Sequence, residues 1–157
     1  IALDQLVKYW TVTSLKPKGS IDFLHIGSFD IMDLTYVEND GAIFGSMSGQ
    51  RWFLIGIPLL IIAVGLFVLI KYHKRSKLLN TAIFLFVTGG IGNLIDRIRV
   101  GYVIDMFDLQ LFDFAVFNVA DIYVTVAMFL ILIYAFFIDP KIEKKLKAEK
   151  EAEVKDE

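Results

Sequence analysis

The sequence contains no cysteine, which excludes disulfides, a thiol nucleophile and a thiolate-ligated metal. Its two histidines, His25 and His73, stand far apart and cannot build a histidine-rich metal centre. The net charge is only -2, and the dense cationic clusters flank apolar segments, so nothing points to a nucleic-acid partner. The glycines at 89, 90 and 92 do not match a phosphate-cradling pattern, and no cofactor is expected. Side-chain chemistry must then come from carboxylates, hydroxyls or amides.

What is present is apolar surface. Hydrophobic residues make up 56% of the 157, and the mean hydropathy is +0.61, too apolar for a soluble fold. Three uninterrupted apolar stretches run over 52–70, 78–95 and 117–138, each near the roughly 20 residues that cross a hydrocarbon core at about 1.5 Å per residue. Pro58 is tolerable in such a helix because neighbouring helices satisfy the freed backbone groups. A fourth apolar stretch, 1–10, is too short to span, and it reads as the outer end of a truncated first helix. The sequence therefore predicts one integral membrane domain, mainly α, with four transmembrane helices.

Orientation follows from the basic residues. Lys71, Lys74, Arg75 and Lys77 follow the second span, and Lys141, Lys144, Lys145, Lys147, Lys150 and Lys155 follow the last. These segments are expected in the cytoplasm, with both termini of the intact protein and the tail 139–157, which reads as frayed or as a solvated helix. The segments 11–51 and 98–116 are then outside. In the first, Ile21, Phe23, Phe29, Ile31, Leu34 and Tyr36 interleave with Asp22, Asp30, Asp33 and Thr35, which predicts a small extracytoplasmic β-sheet. The second mixes Met106, Phe107, Leu109, Leu111, Phe112 and Phe114 with Asp108 and Asp113, which predicts an amphipathic segment lying in the interface.

Charged side chains within spans cost roughly 2.5–3.5 kcal/mol at mid-membrane, so those that persist mark candidate sites. Asn118, Asp121 and Thr125 form one helical stripe; Gly89, Asn93 and either Asp96 or Arg97 form another. On the short first segment, Asp4 and Lys8 are spaced i,i+4 in the favourable order. Three helices thus bring polar groups to one membrane level, where they must face each other or water. Asp105 and Asp121 are the candidate pair for metal-free peptide hydrolysis, because two close carboxylates can divide the roles of base and acid. Spacing alone leaves other roles open: the aspartates could cap helices, pair with Arg97 or Arg99, or relay protons in a transporter. Asn93 and Asn118 could be interhelical hydrogen-bond glue in a non-catalytic assembly subunit, and Asp4 with Lys8 a structural ion pair.

Read in order, the motifs resemble those of lipoprotein signal peptidase, or signal peptidase II, the bacterial intramembrane aspartic peptidase family. They are Asp-Gln-Leu-Val-Lys at 4–8, Asn-Asp-Gly-Ala-Ile-Phe-Gly at 39–45, Gly-Gly-Ile-Gly-Asn-Leu-Ile-Asp-Arg at 89–97, Gly-Tyr-Val-Ile-Asp at 101–105 and Phe-Asn-Val-Ala-Asp at 117–121. The resemblance implies that Asp105 and Asp121 are the catalytic pair. It implies that Asn39, Gly41, Gly89, Asn93, Arg97, Asn118 and Ala120 line or steady the site, with Asp4 and Lys8 supporting it from the first helix. The implied substrate is a prolipoprotein carrying a diacylglyceryl cysteine, cut just before that cysteine at the outer face of the cytoplasmic membrane, in contact with membrane lipid. Globomycin-type inhibitors are the expected ligands. Ala127, Ile43 and Gly45 depart from residues common in that family, and none of them carries a role in the chemistry.

Overall fold

The computed structural model describes residues 1–41 and 50–156. The end of the loop motif, 42–45, with the departures at Ile43 and Gly45, lies outside the described residues. Helix α1 covers Ala2–Trp10 and runs on as a π-helical turn over Thr11–Leu15, past the end expected from the apolar stretch. Strands β1 (Ser20–Ile26) and β2 (Phe29–Asn39) follow, then helices α2 (Arg51–Tyr72) and α3 (Lys77–Arg99), strand β3 (Val103–Leu109) and helix α4 (Val119–Ile133). A second π-helical turn, Tyr134–Ile138, carries α4 into α5 (Asp139–Asp156), so the polar tail is helical, with Glu143 to Ala148 exposed.

Three of these helices are long and apolar enough to cross a membrane, with spans at Trp52–Tyr72, Lys77–Arg99 and Val119–Ala148. The chain is a multi-pass membrane protein. Helix α1 is too short to cross by itself and packs against α4 at one end of the bundle. Helix α3 is the centre, pairing with α2 on one side and α4 on the other. Between α2 and α3, Ile62, Ile83, Val87 and Leu94 form a buried apolar cluster. At the end opposite α1, Arg75 Nε donates to the Tyr134 hydroxyl at 2.8 Å and to Asp139 at 2.9 Å, tying the α2–α3 turn to the root of α5.

The expected hairpin forms, with Ile26 opposite Phe29 across a turn where Gly27 takes φ 64°. The second segment departs from expectation: 103–109 is a third strand rather than an interfacial amphipathic piece. Strand β3 pairs antiparallel with β2, giving the order β1-β2-β3. Both of its faces are covered. Ile104 and Met106 join Leu15 and Leu34 in a second apolar cluster, while Val103 and Asp105 face a cavity. A strand buried on both faces shows no two-residue polarity, which is why its sequence did not read as one.

Candidate active site

Local structure first fixes Asp121 and Asn118. Asn118 is the N-cap of α4; its Oδ1 accepts from the Asp121 backbone N–H at 3.1 Å, and Asp121 Oδ2 accepts from the Asn118 backbone N–H at 3.0 Å. This reciprocal capping box satisfies donors that the first turn would otherwise leave orphaned. It also holds the Asp121 carboxylate at the helix start, where the positive end of the helix dipole favours an anion.

Strand pairing places the other carboxylate. Asp105 lies opposite Val37 in the β2–β3 ladder, close to Asn39 and Val103, which are paired with each other. Its Oδ2 accepts from Asn39 Nδ2 at 2.9 Å and its Oδ1 from Asn118 Nδ2 at 2.6 Å. Asp121 Oδ1 accepts from Asn93 Nδ2 at 2.7 Å. Asn118 therefore bridges the two aspartates, donating to Asp105 from its side-chain amide and to Asp121 from its backbone N–H.

Asp105 and Asp121 line one cavity of about 540 Å³ together with Asn39, Asn93 and Arg97. The remaining wall is largely apolar, including Leu109, Phe114, Val116, Ile122 and Val126. Arg97 donates to the Gly41 carbonyl at 2.9 Å, which ties the backbone just past β2 to this cavity-lining side chain. Burial pushes the Asp105 carboxyl up to about 6, aided by the nearby charge of Asp121 and opposed chiefly by the Asn39 and Asn118 hydrogen bonds. Such an arrangement, two carboxylates of like charge in a largely apolar cavity, can hold one proton between them and divide base and acid roles.

Behind the cavity lies a buried ionic layer. Lys8 Nζ sits 2.7 Å from Asp96 Oδ2 and 3.3 Å from Asp4 Oδ2, and it donates to Asn93 Oδ1 at 2.8 Å. Asp4 Oδ1 accepts from the Ala120 backbone N–H at 3.0 Å, and Gln5 Nε2 donates to both Asp4 and Asp96. Lys8, Asp4 and Asp96 are each at most 2% exposed, so their charges are compensated by one another rather than by water.

The sequence-predicted residues thus divide by position. Asn39, Asn93, Arg97, Asp105 and Asp121 meet at the cavity, and Asn118 sits fully buried between the two carboxylates. Asp4 and Lys8 stand one layer behind. Gly89 and Ala120 do not line the cavity: a Cβ at Gly89 would collide with the Ala120 carbonyl oxygen, so this glycine sets the α3–α4 approach. Gly41 contributes backbone, its N–H bonding Asn39 Oδ1 at 3.1 Å. Gln5 was not singled out in the sequence, and the choice between Asp96 and Arg97 was left open. The structure uses both, with Asp96 turned to α1 and Arg97 to the cavity. Adjacent helical residues differ by about 100°, so one stripe cannot hold both. Among the described residues, no group of three or more His, Cys, Asp or Glu side chains is placed to hold a metal ion.

Residues 1–137 match the model of the family described as signal peptidase (SPase) II. The lipoprotein signal peptidase of Streptococcus thermophilus (strain CNRZ 1066) is 40% identical over 133 residues, covering 85% of this chain and 84% of the relative. That of Streptococcus pyogenes serotype M1 is 41% identical over 133 residues, covering 85% of each. Two solved structures of a bacterial membrane enzyme, obtained by the in meso method, are similar in fold. One has a TM-score of 0.75 at 31% identity, covering 88% of this chain and 83% of that one. The other has a TM-score of 0.73 at 30% identity, covering 87% of each.

Proposed function

Because the chain belongs to the signal peptidase II family, we propose that Asp105 and Asp121 are the catalytic pair with which it removes signal peptides from prolipoproteins. The observation that carries this reading is that both carboxylates line one cavity and are bridged by one residue, Asn118, through its side-chain and backbone N–H groups. One aspartate takes a proton from the attacking water while the other, protonated, delivers its proton to the departing amide nitrogen. Asn39 and Asn93 hold the carboxylates, and Arg97 adds a positive charge beside the developing oxyanion.

The substrate is a prolipoprotein whose cysteine bears diacylglycerol, and the bond broken lies just before that cysteine. The largely apolar wall of the cavity suits the signal-peptide residues beside the scissile bond. The sheet end of the bundle is the outer face. Supporting this, the α2–α3 turn and α5 at the opposite end carry Lys71, Lys74, Arg75, Lys77, Lys141 and Lys144. Helix α1 acts as the fourth member of the bundle, bringing its charged stripe to the level of the site. A globomycin-type depsipeptide competes for the same cavity.

The test is cleavage of a synthetic diacylated signal peptide with and without a metal chelator. Asp105→Asn and Asp121→Asn each lower turnover by ~10²-fold or more without loss of membrane insertion. Turnover by either variant near the wild-type rate removes that aspartate from the pair. Full activity in chelator is expected, and loss of activity restored by a divalent cation would replace the dyad with a metal site.

A further inference from the structure

Each amide that bonds the two carboxylates is itself held in one orientation. A backbone N–H can only donate, so the Gly41 N–H fixes Asn39 with Oδ1 towards it and the amide nitrogen towards Asp105. The Asp121 N–H does the same for Asn118. For Asn93 the corresponding donor is not backbone but the Lys8 ammonium, 2.8 Å from Oδ1. An ammonium has three protons and no lone pair, so Asn93 must present oxygen to Lys8 and nitrogen to Asp121. Asn118 Nδ2 gives one of its two protons to the same Asn93 oxygen at 3.0 Å and the other to Asp105, so that oxygen is held by one neutral donor and by the Lys8 cation, the charged and stronger of the two.

We propose that Lys8 is a positioning residue for the peptidase reaction: its buried ammonium sets the direction of the Asn93 amide and thereby the side-chain hydrogen bond that Asp121 accepts. The proposal rests on the reading of Asp105 and Asp121 as the catalytic pair. The ammonium sits where only a long cation reaching in from α1 can arrive, since it is 2% exposed and meets α3 at both Asn93 and Asp96. Two carboxylates neutralise it, and its third partner is the amide oxygen, so the polarity of Asp4 and Asp96 passes through one nitrogen to the cavity. Without the ammonium, only the neutral Asn118 N–H holds the Asn93 oxygen, and the amide turns over more readily. Its oxygen would then face Asp121, replacing an attraction with a repulsion between two acceptors.

Removing Lys8 alone would strand two buried carboxylates, so the informative variants remove the ammonium together with one of them. Lys8→Met/Asp96→Asn and Lys8→Met/Asp4→Asn each leave the trio at the net charge of -1 it has now. The expected result in both is a kcat on a diacylated signal peptide lowered about 10- to 100-fold, with KM within about twofold of wild type and an unfolding midpoint between those of wild type and Lys8→Met, since one buried carboxylate still lacks its cation. A purely structural role for Lys8 predicts wild-type kcat once charge balance is restored, and that result overturns the proposal. So does a rise in KM at unchanged kcat, or failure of both doubles to fold. Asp121→Asn is measured alongside. Turnover by that variant defeats the dyad itself, whereas an inactive Asp121→Asn beside fully active doubles defeats only the role given to Lys8.

Discussion

Helices α1 and α2 meet their surroundings in opposite ways. Helix α2 is apolar around its circumference, exposing Trp52, Leu60 and Phe67 and burying little more than Leu54 and Ile62. Helix α1 exposes Leu3, Leu6 and Tyr9 and buries Asp4 and Lys8. In water the second pattern would be inside out. In a bilayer, sequestering leucine from lipid gains almost nothing, whereas charge must be sequestered, paired or hydrated. The helix with the inverted pattern is also the one that backs the cavity lined by Asp105 and Asp121.

The sharpest way to break this comparison is Lys8→Met, which leaves the Asp4 and Asp96 carboxylates buried without their cation. A loss of about 3–5 kcal/mol in unfolding free energy is expected, against less than ~0.5 kcal/mol for the lipid-facing Leu60→Ala on α2. Equal effects of the two, measured by reversible unfolding in detergent, would remove the distinction drawn between these helices. A second contrast concerns glycines. Gly89→Ala drives a methyl into the α4 backbone and Val124 and should cost about 1–3 kcal/mol together with much of the activity. Gly56→Ala on α2 meets open space and should be neutral or slightly stabilising, because alanine is the better helix former.

A smaller effect sharpens the electrostatic side. The Asp105 carboxyl, pushed up to about 6 by burial, titrates higher in the folded protein than in the unfolded chain. The folded state thus binds more protons between the two values. The stability that Asp105 contributes is complete below about pH 4 and is lost as pH rises through about 6. The unfolding free energy of Asp105→Asn relative to wild type should therefore rise by ~1–3 kcal/mol from pH 4 to pH 7.5. A flat difference across that range would mean that the carboxyl is as well solvated as in the unfolded chain. The least effect is expected at the sheet surface. Lys16 and Glu38 pair at 2.8 Å, but both are well exposed, and Lys16→Ala should change stability by less than ~0.5 kcal/mol.

Legibility varied with how local each feature was. The three spans could be read from apolar length, and the stripes Asn118–Asp121 and Gly89–Asn93 from helical spacing. The β1–β2 hairpin showed because one face of its strands is polar. Strand β3 did not, because apolar packing covers one face and the Asp105–Asp121 cavity lies against the other. The residue types at the site were visible as a set of polar groups at one depth, and the family resemblance sorted them into roles. Gln5 was not visible as a member of the site, because its partners, Gly92 and Asp96, lie on another helix.

The sequence by itself determined that this chain enters a membrane, which segments cross it and which few polar residues lie at the level of the site. These depend on hydropathy and periodicity, properties that each segment carries alone. Only the tertiary structure decided that Asp105 and Asp121 share a cavity, that one asparagine bridges them, and that Lys8 bonds another. Hydrogen-bond direction belongs to pairs of groups from different elements, so it does not exist until α1, α3, β3 and α4 have packed together.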